Sequence, residues 1–191
     1  MKSTYIIYTA LLAVALLFIN CANSPAPDPA NKWFEETKTE ILKQADHKPD
    51  SVVTVKNNNA KRETLTNGNI IIPDTTLIFE NAYFNGRLFH KQVVKEGKLR
   101  AEIFYSNDGA FELRKEFYGN GVSLFEGIAY NSHFYGPFTW HYENGKIKKQ
   151  GIRFRDQKIG MWRDLDETGE KQQRIDYRNL DKIDSLPKLV K

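Results

Sequence analysis

A 24-residue repeat constrains the fold of this 191-residue chain more than any other feature of its sequence. A fixed period of roughly 20–50 residues is typical of repeated supersecondary units that bury a core between neighbours. The sequence therefore predicts a repeat architecture, most clearly from residue 98 onward. The glycines that recur at this interval are Gly97, Gly121, Gly145 and Gly169 at predicted turns, and within predicted strands Gly127 with Gly151 and Gly136 with Gly160.

Each repeat has the pattern of two β-strands joined by a tight turn. Apolar side chains alternate along 122–130 and along 134–142, as in half-buried strands of about 8–9 residues. Pairs such as Asn144-Gly145 are typical of two-residue type I′ turns, which need positive φ at both positions. Because apolar residues fall on both faces of the predicted strands, we expect a mainly β fold. Its architecture would be an antiparallel single-layer β-meander with one short N-terminal helix.

The first twenty residues have the pattern of a secretory signal peptide. One lysine precedes an apolar run that is shorter than the ~20 residues a membrane-spanning helix needs. Directly after this run comes Cys21, the only cysteine of the chain. The arrangement resembles a bacterial lipoprotein signal, which implies a membrane anchor through lipid on Cys21. Two alternatives stay open, an ordinary secreted protein and a signal that is retained as the anchor.

A tether, a helix and short strands are predicted between the signal and the repeats. Three prolines stiffen residues 21–30 and oppose helix formation there. Apolar spacing predicts a helix over 31–45, and β-branched runs predict strands over 51–55 and 69–73. The predicted segments are 1–20 (signal peptide), 21–30 (tether), 31–73 (helix and short strands), 74–178 (repeat sheet) and 179–191 (polar tail).

No motif in the sequence has the spacing of a catalytic or metal site. None of the four histidines has a metal-ligand spacing to another ligand type that repeats or converges. No serine lies in a G-x-S-x-G elbow, and no glycine-rich loop opens a helix. We therefore expect no enzyme, no catalytic residue, no metal and no cofactor. The net charge of +4 is weakly basic and no Lys/Arg block is dense, so we expect no nucleic-acid partner.

Aromatic residues are the feature that most favours a binding function. With 12 Phe, 9 Tyr and 3 Trp, the chain has more rings than a small single-layer sheet can hide. Mid-strand glycines would let some rings lie flat across a neighbouring strand, or would mark bends. Tyr and Trp dominate interface hot spots, and the basic stretch 146–155 would border them and could meet an acidic partner. The candidate binding surface is Tyr118, Phe125, Tyr135, Trp140, Tyr142 and Trp162.

The segments "GPFTWHYENGKIKKQG" and "GMWRDLDETG" resemble the MORN-repeat variant, a short G-x-W-x-x-Y-x-x-x-G unit. Chains with these tandem units are commonly named YwqK-type antitoxins. The resemblance implies a sheet scaffold in which Gly136 and Gly160 open units while Gly145 and Gly169 close them. It also implies an antitoxin or immunity role that acts by occluding a toxin.

The sequence thus predicts a non-enzymatic, lipid-anchored protein of the bacterial cell envelope whose repeat sheet binds a protein partner. An antitoxin-like role is one form of this function, with a toxin as the partner. The alternative is a structural envelope lipoprotein that binds glycan or peptidoglycan, for which rings in a row beside Asp/Asn pairs are expected. A hydrolase is a third, unsupported alternative. The partner, the membrane side and the oligomeric state stay open.

Overall fold

The computed structural model of the protein describes residues 28–57, 64–66, 69–70 and 77–189. The predicted signal peptide, the lipid site Cys21 and most of the predicted tether lie outside the described residues, as does the end of the strand predicted over 69–73. The elements are α1 (Asp28–Gln44), β1 (Ser51–Asn57), β2 (Thr64–Thr66), β3 (Asn69–Ile70), β4 (Leu77–Phe84), β5 (Arg87–Lys95), β6 (Lys98–Tyr105), β7 (Phe111–Phe117), β8 (Ser123–Tyr130), β9 (His133–His141), β10 (Ile147–Phe154), β11 (Gln157–Leu165), β12 (Gln172–Asp176) and a 3-10 helix (Leu180–Ser185).

Ten of these strands form one open antiparallel sheet. Their order is β1-β4-β5-β6-β7-β8-β9-β10-β11-β12, so that from β4 onward each strand pairs with the next in the chain. β2 and β3 pair only with each other. The predicted mainly β fold, a single-layer antiparallel meander with one N-terminal helix, is confirmed. The strand predicted over 51–55 is β1, and it belongs to the same sheet as the repeats rather than to a separate segment.

Two kinds of turn join the strands, and the type I′ prediction is wrong for Asn144-Gly145. Only the glycine of this pair has a positive φ, of 82°. The Asn144 side chain instead accepts a hydrogen bond from the Lys146 backbone N–H (2.9 Å), and the loop closes between Tyr142 N and Lys146 O (2.8 Å). A longer loop with a left-handed glycine therefore replaces the two-residue turn. The two-residue turns with positive φ at both positions are Asn85-Gly86, Glu96-Gly97, Asn131-Ser132 and Arg155-Asp156.

Hydrogen bonds between successive loops fix the register of the last repeats. The side-chain amides of Asn120 and Asn144 each donate to a backbone carbonyl of the next loop along the sheet, at 3.0 and 3.2 Å. The hydroxyls of Tyr118 and Tyr142 donate to a carbonyl near the end of the next repeat in the same way, at 2.8 and 2.7 Å. Each pair of donors is separated by one period. The 24-residue repeat therefore reflects equivalent contacts between neighbouring units.

One face of the sheet, called here the helix face, is covered by α1. Phe34 and Ile41 of the helix form a buried cluster with Leu113 of β7 and Ile128 of β8. Phe34 and Ile41 are separated by polar residues at helical spacing, so α1 can bury one apolar stripe against the sheet. α1 begins at Asp28, so the predicted boundary at residue 31 is three residues late.

The start of α1 and the C-terminal segment, which both cover the helix face, differ from the sequence-based expectation. Pro29 lies in the first turn of α1, where its missing N–H is not needed, so the prediction that residues 21–30 oppose a helix is wrong for 28–30. The predicted polar tail contains two buried residues, Ile183 and Leu186, which join a cluster with Ile152 and Ile159 of the sheet. The indole N–H of Trp33 donates to the backbone carbonyl of Pro187 (2.7 Å) and ties this tail to α1. The C-terminal segment therefore extends the cover of the helix face.

The opposite face, called here the open face, carries neither helix of the described residues. The aromatic rings at its centre are nevertheless hidden, since Phe125, Phe138 and Trp162 are exposed by only 0 to 1%. Cross-strand partners share a face, so the register places one continuous row of side chains across it. The row runs through Phe79, Val93, Ala101, Glu116, Phe125, Trp140, Lys149 and Asp164.

Mid-strand glycines explain how rings are hidden without a second layer. A Cβ on Gly127 would lie 2.6 Å from the Phe138 ring, and a Cβ on Gly151 would overlap the Trp162 ring. The prediction that rings lie across these glycines is confirmed on the open face. On the helix face Gly136 has a φ of 75° and is covered by Trp33, a ring from α1 rather than from a neighbouring strand.

We predict that Gly151→Ala lowers the free energy of unfolding by about 1–3 kcal/mol, because the new methyl group must displace the buried Trp162 ring. Equilibrium urea unfolding of the purified protein measures this change. Gly119→Ala is the matched control, because its Cβ would meet only the flexible end of Arg100, at 3.0 Å. The packing account is contradicted if the two variants unfold at the same urea concentration.

Candidate binding surface on the open face

Five aromatic rings form a continuous cluster on the open face. Phe138 is the centre, with its ring centroid 4.9 Å from Phe125, 5.0 Å from Phe134 and 4.2 Å from Trp140. Trp162 extends the cluster at 6.3 Å from Trp140, and its indole N–H donates to a buried backbone carbonyl of β10. Edge-to-face and offset contacts of this kind add to the stability that burial provides. Phe125, Phe134, Phe138, Trp140 and Trp162 therefore form one packed cluster, called here the aromatic floor.

Cationic side chains lie over this aromatic floor. The Arg153 guanidinium is 5.0 Å from the Phe138 centroid, 4.8 Å from Trp140 and 5.9 Å from Trp162, and it donates to the Asp156 backbone carbonyl at 2.7 Å. Burial lowers the pKa of Arg153, yet a guanidinium remains charged in proteins. The Arg153 guanidinium is therefore a fixed positive charge that lies over aromatic rings.

Two further cations extend the same arrangement to either side. Arg114 lies over the ring of Phe134 at 5.8 Å, and Lys158 lies over Trp162 at 4.7 Å. The Lys158 ammonium also donates to the hydroxyl of Tyr177 (3.3 Å) at the outer end of the sheet. Because the rings hold the charged groups, these cations lose little conformational freedom when they meet an anion.

The open face carries more cations than carboxyls. Two of its carboxyls are already paired, Glu112 with Arg114 at 2.9 Å and Asp164 with Lys149 at 3.3 Å. The excess positive charge favours a partner that carries negative charge. Register and alternation along the strands place Lys91, Lys95, Lys98, Arg114, Lys149, Arg153 and Lys158 on this face, together with the carboxyls Glu112, Glu116 and Asp164.

Glu116 is the one buried carboxyl of the described residues, with 4% of its surface exposed. It lies between Ala101 and Phe125 in the cross-strand row, and its Oε1 atom has no hydrogen-bond partner. Burial raises the pKa of Glu116 to about 8, against the opposing attraction of Arg114. At neutral pH this carboxyl is therefore mostly protonated and does not offset the positive charge of the open face.

We predict that Glu116→Gln gains stability relative to the wild type as the pH rises from about 4.5 to about 8. Over this range the unfolded Glu116 ionises, while the folded one keeps its proton, so the wild type loses stability that the variant retains. Each unit by which the pKa is raised corresponds to about 1.4 kcal/mol. Urea unfolding at pH 5 and pH 8 measures the difference between the two proteins. An unchanged difference would contradict a raised pKa.

The structure does not bring the six predicted surface residues together. Phe125 and Trp162 are buried in the aromatic floor, and Tyr135 is buried on the helix face, so the prediction that these rings form a surface is corrected. Tyr118 and Tyr142 are half-buried, and their hydroxyls serve the loop-to-loop hydrogen bonds. Trp140 alone is a half-buried ring within the open-face cluster.

The sequence-based search missed Arg114 and Lys158, which a register argument could have found. Both occupy strand positions whose side chains point to the same face as the ring that they cover. The predicted basic border 146–155 does contribute, because Lys149 and Arg153 lie within the open face rather than beside it. All four turn glycines have positive φ and lie in loops outside this cluster; they are Gly97, Gly121, Gly145 and Gly169.

Two histidines outside the open face have carboxylate partners. His90 contacts Glu102 at 3.1 Å, and His133 contacts Asp156 at 2.6 Å. Within the described ranges no group of three or more His, Cys, Asp or Glu side chains could hold a metal ion. In the same part of the chain, no helix has the length and apolar character needed to cross a bilayer.

No family model, curated protein or solved structure matches the chain. The resemblance to MORN-variant repeats therefore stays a prediction from the residues.

Proposed function

We propose that the chain is a non-enzymatic, lipid-anchored protein of the bacterial cell envelope whose open sheet face binds an acidic protein partner. The observation that carries this proposal is the Arg153 guanidinium held over three aromatic rings. Arginine and tryptophan at a rigid, partly desolvated site are typical of interface hot spots. The surrounding excess of lysine would steer a partner of opposite charge toward the face.

The placement of α1 supports an anchor that leaves the open face accessible. Asp28 follows Cys21 by seven positions, so the lipid would lie within at most about 25 Å of the start of α1. Because α1 covers the helix face, the anchor would join the protein on the side opposite to the candidate surface. A toxin is the partner class that the MORN-variant resemblance implies.

Glycan binding is the second candidate, and the row of rings is the observation that favours it. Carbohydrate sites stack a sugar on an exposed ring, whereas four of the five rings here are exposed by 2% or less. Cations rather than Asp/Asn pairs lie beside them. The acidic protein partner is therefore the better supported of the two.

Affinity capture from the native envelope after gentle crosslinking tests the proposal with charge-reversal variants. Lys91→Glu/Lys158→Glu reverses two open-face charges, and Lys43→Glu/Lys171→Glu reverses two exposed charges elsewhere with the same net change. We expect one acidic protein with the wild type and the control, and at least a tenfold loss with the open-face variant. The mass of the bait reports lipid on Cys21.

Two results would count against this function. Equal capture by the open-face variant and its control would remove the open face as the binding surface. Glycan retained in place of protein would favour the structural alternative, and an unmodified Cys21 would remove the lipid anchor.

A further inference from the structure

The two edges of the ten-stranded sheet have opposite chemistry. β12, the last strand, exposes polar and charged side chains such as Gln173 and Arg174, which is how natural sheets discourage pairing at an edge. β1, the first strand, exposes Val52 by 57% and both Val53 and Val55 by 47%. Among the described strands β1 pairs only with β4, so none of them covers its other edge.

The valines of β1 project from both faces of the sheet. Val53 and Val55 share the open face with Asn81 and Phe79, their cross-strand partners, while Val52 shares the helix face with Ala82. An edge strand with exposed apolar residues is a site at which another chain can add a strand to the sheet. The exposed valines of β1 therefore make this edge favourable for pairing with another strand.

The sequence of β1 is complementary to itself in one antiparallel register. With the two-fold axis at Val53, this residue faces its own copy, and Thr54 faces Val52 across the axis. Lys56 then faces Asp50 at both ends of the paired segment, so opposite charges flank the valines. A shift of the axis to Thr54 would place Lys56 opposite Val52 and lose both charge pairs.

Asp50, directly before β1, is held by contacts within its own chain. Its carboxylate accepts hydrogen bonds from the backbone N–H of Asn85 (2.7 Å), at the turn that follows β4, and from the Ser51 hydroxyl (3.2 Å). A carboxylate has acceptor sites for several donors, so a lysine ammonium can bind beside Asn85. The Asp50 carboxylate therefore lies near the start of β1 and keeps acceptor capacity for Lys56 of a second copy.

We propose that two copies of this chain pair through β1, antiparallel about Val53, to form one continuous sheet. The two-fold axis is perpendicular to the sheet, so both helix faces lie on the same side and both α1 helices begin on that side. Such an interface is isologous and closes at two copies. The polar β12 edges at the outer ends prevent further growth, so we expect a dimer and no fibre.

Cysteine crosslinking of the full-length protein in its native membrane tests this register. Val53→Cys places the two thiols in directly opposite positions, where Cα atoms about 4.5–5.5 Å apart permit a disulfide. Gln173→Cys on β12 is the matched control, since it is an exposed strand residue on the other edge. We expect at least tenfold more covalent dimer from Val53→Cys than from the control or from the wild type with Cys21 alone.

A charge test separates specific pairing from chance collisions. Lys56→Asp in the Val53→Cys background should reduce the crosslink severalfold, because the introduced carboxylate would face Asp50 of the other copy. Adding Asp50→Lys should restore part of the crosslink, since the two charges are then exchanged, although the lysine cannot accept the hydrogen bond of the Asn85 N–H. Equal crosslinking at β1 and β12 would overturn the proposal. A protein that stays monomeric would also overturn the proposal. Another segment of the same chain would then cover the β1 edge.

Discussion

The contact between the Trp162 ring and the backbone of Gly151, with its counterpart one period earlier between Phe138 and Gly127, is the constraint on which the rest of the structure depends. A single-layer sheet has two faces to shield from water, and here helices cover only one of them. Rings that lie flat across glycines shield the other face without a second layer. The same contacts hold the rings of the open face in place.

The proposed binding function depends on the cations that cover the rings of the open face. A ring that lies flat on the backbone turns its other face outward, and cations occupy the outward side of Phe138, Trp140 and Trp162. The long side chains of Arg153 and Lys158 thereby protect the cluster and present charge at the surface. Stability and recognition are served by the same residues, so a charge-reversal variant has to be compared with a control of equal net charge.

The repeat, the strand count per unit and the single-layer meander could be predicted from the sequence because glycine spacing and apolar alternation are local signals. The turn at Asn144-Gly145 could not, because a side-chain hydrogen bond to Lys146 selects the longer loop. The burial of Phe125 and Trp162 was missed since it depends on which ring covers which glycine across strands. The buried Ile183 and Leu186 were missed because two apolar residues in a polar tail carry no periodic signal.

Collisional quenching of tryptophan fluorescence tests the central claim, a positively charged open face above an aromatic floor, most directly. In a Trp33→Phe variant, the remaining emission comes from Trp140 and Trp162, both beneath Arg153. The account predicts that iodide quenches this emission more strongly than caesium at equal ionic strength, and that Arg153→Gln narrows the difference. Equal quenching by the two ions, or stronger quenching by caesium, would contradict it.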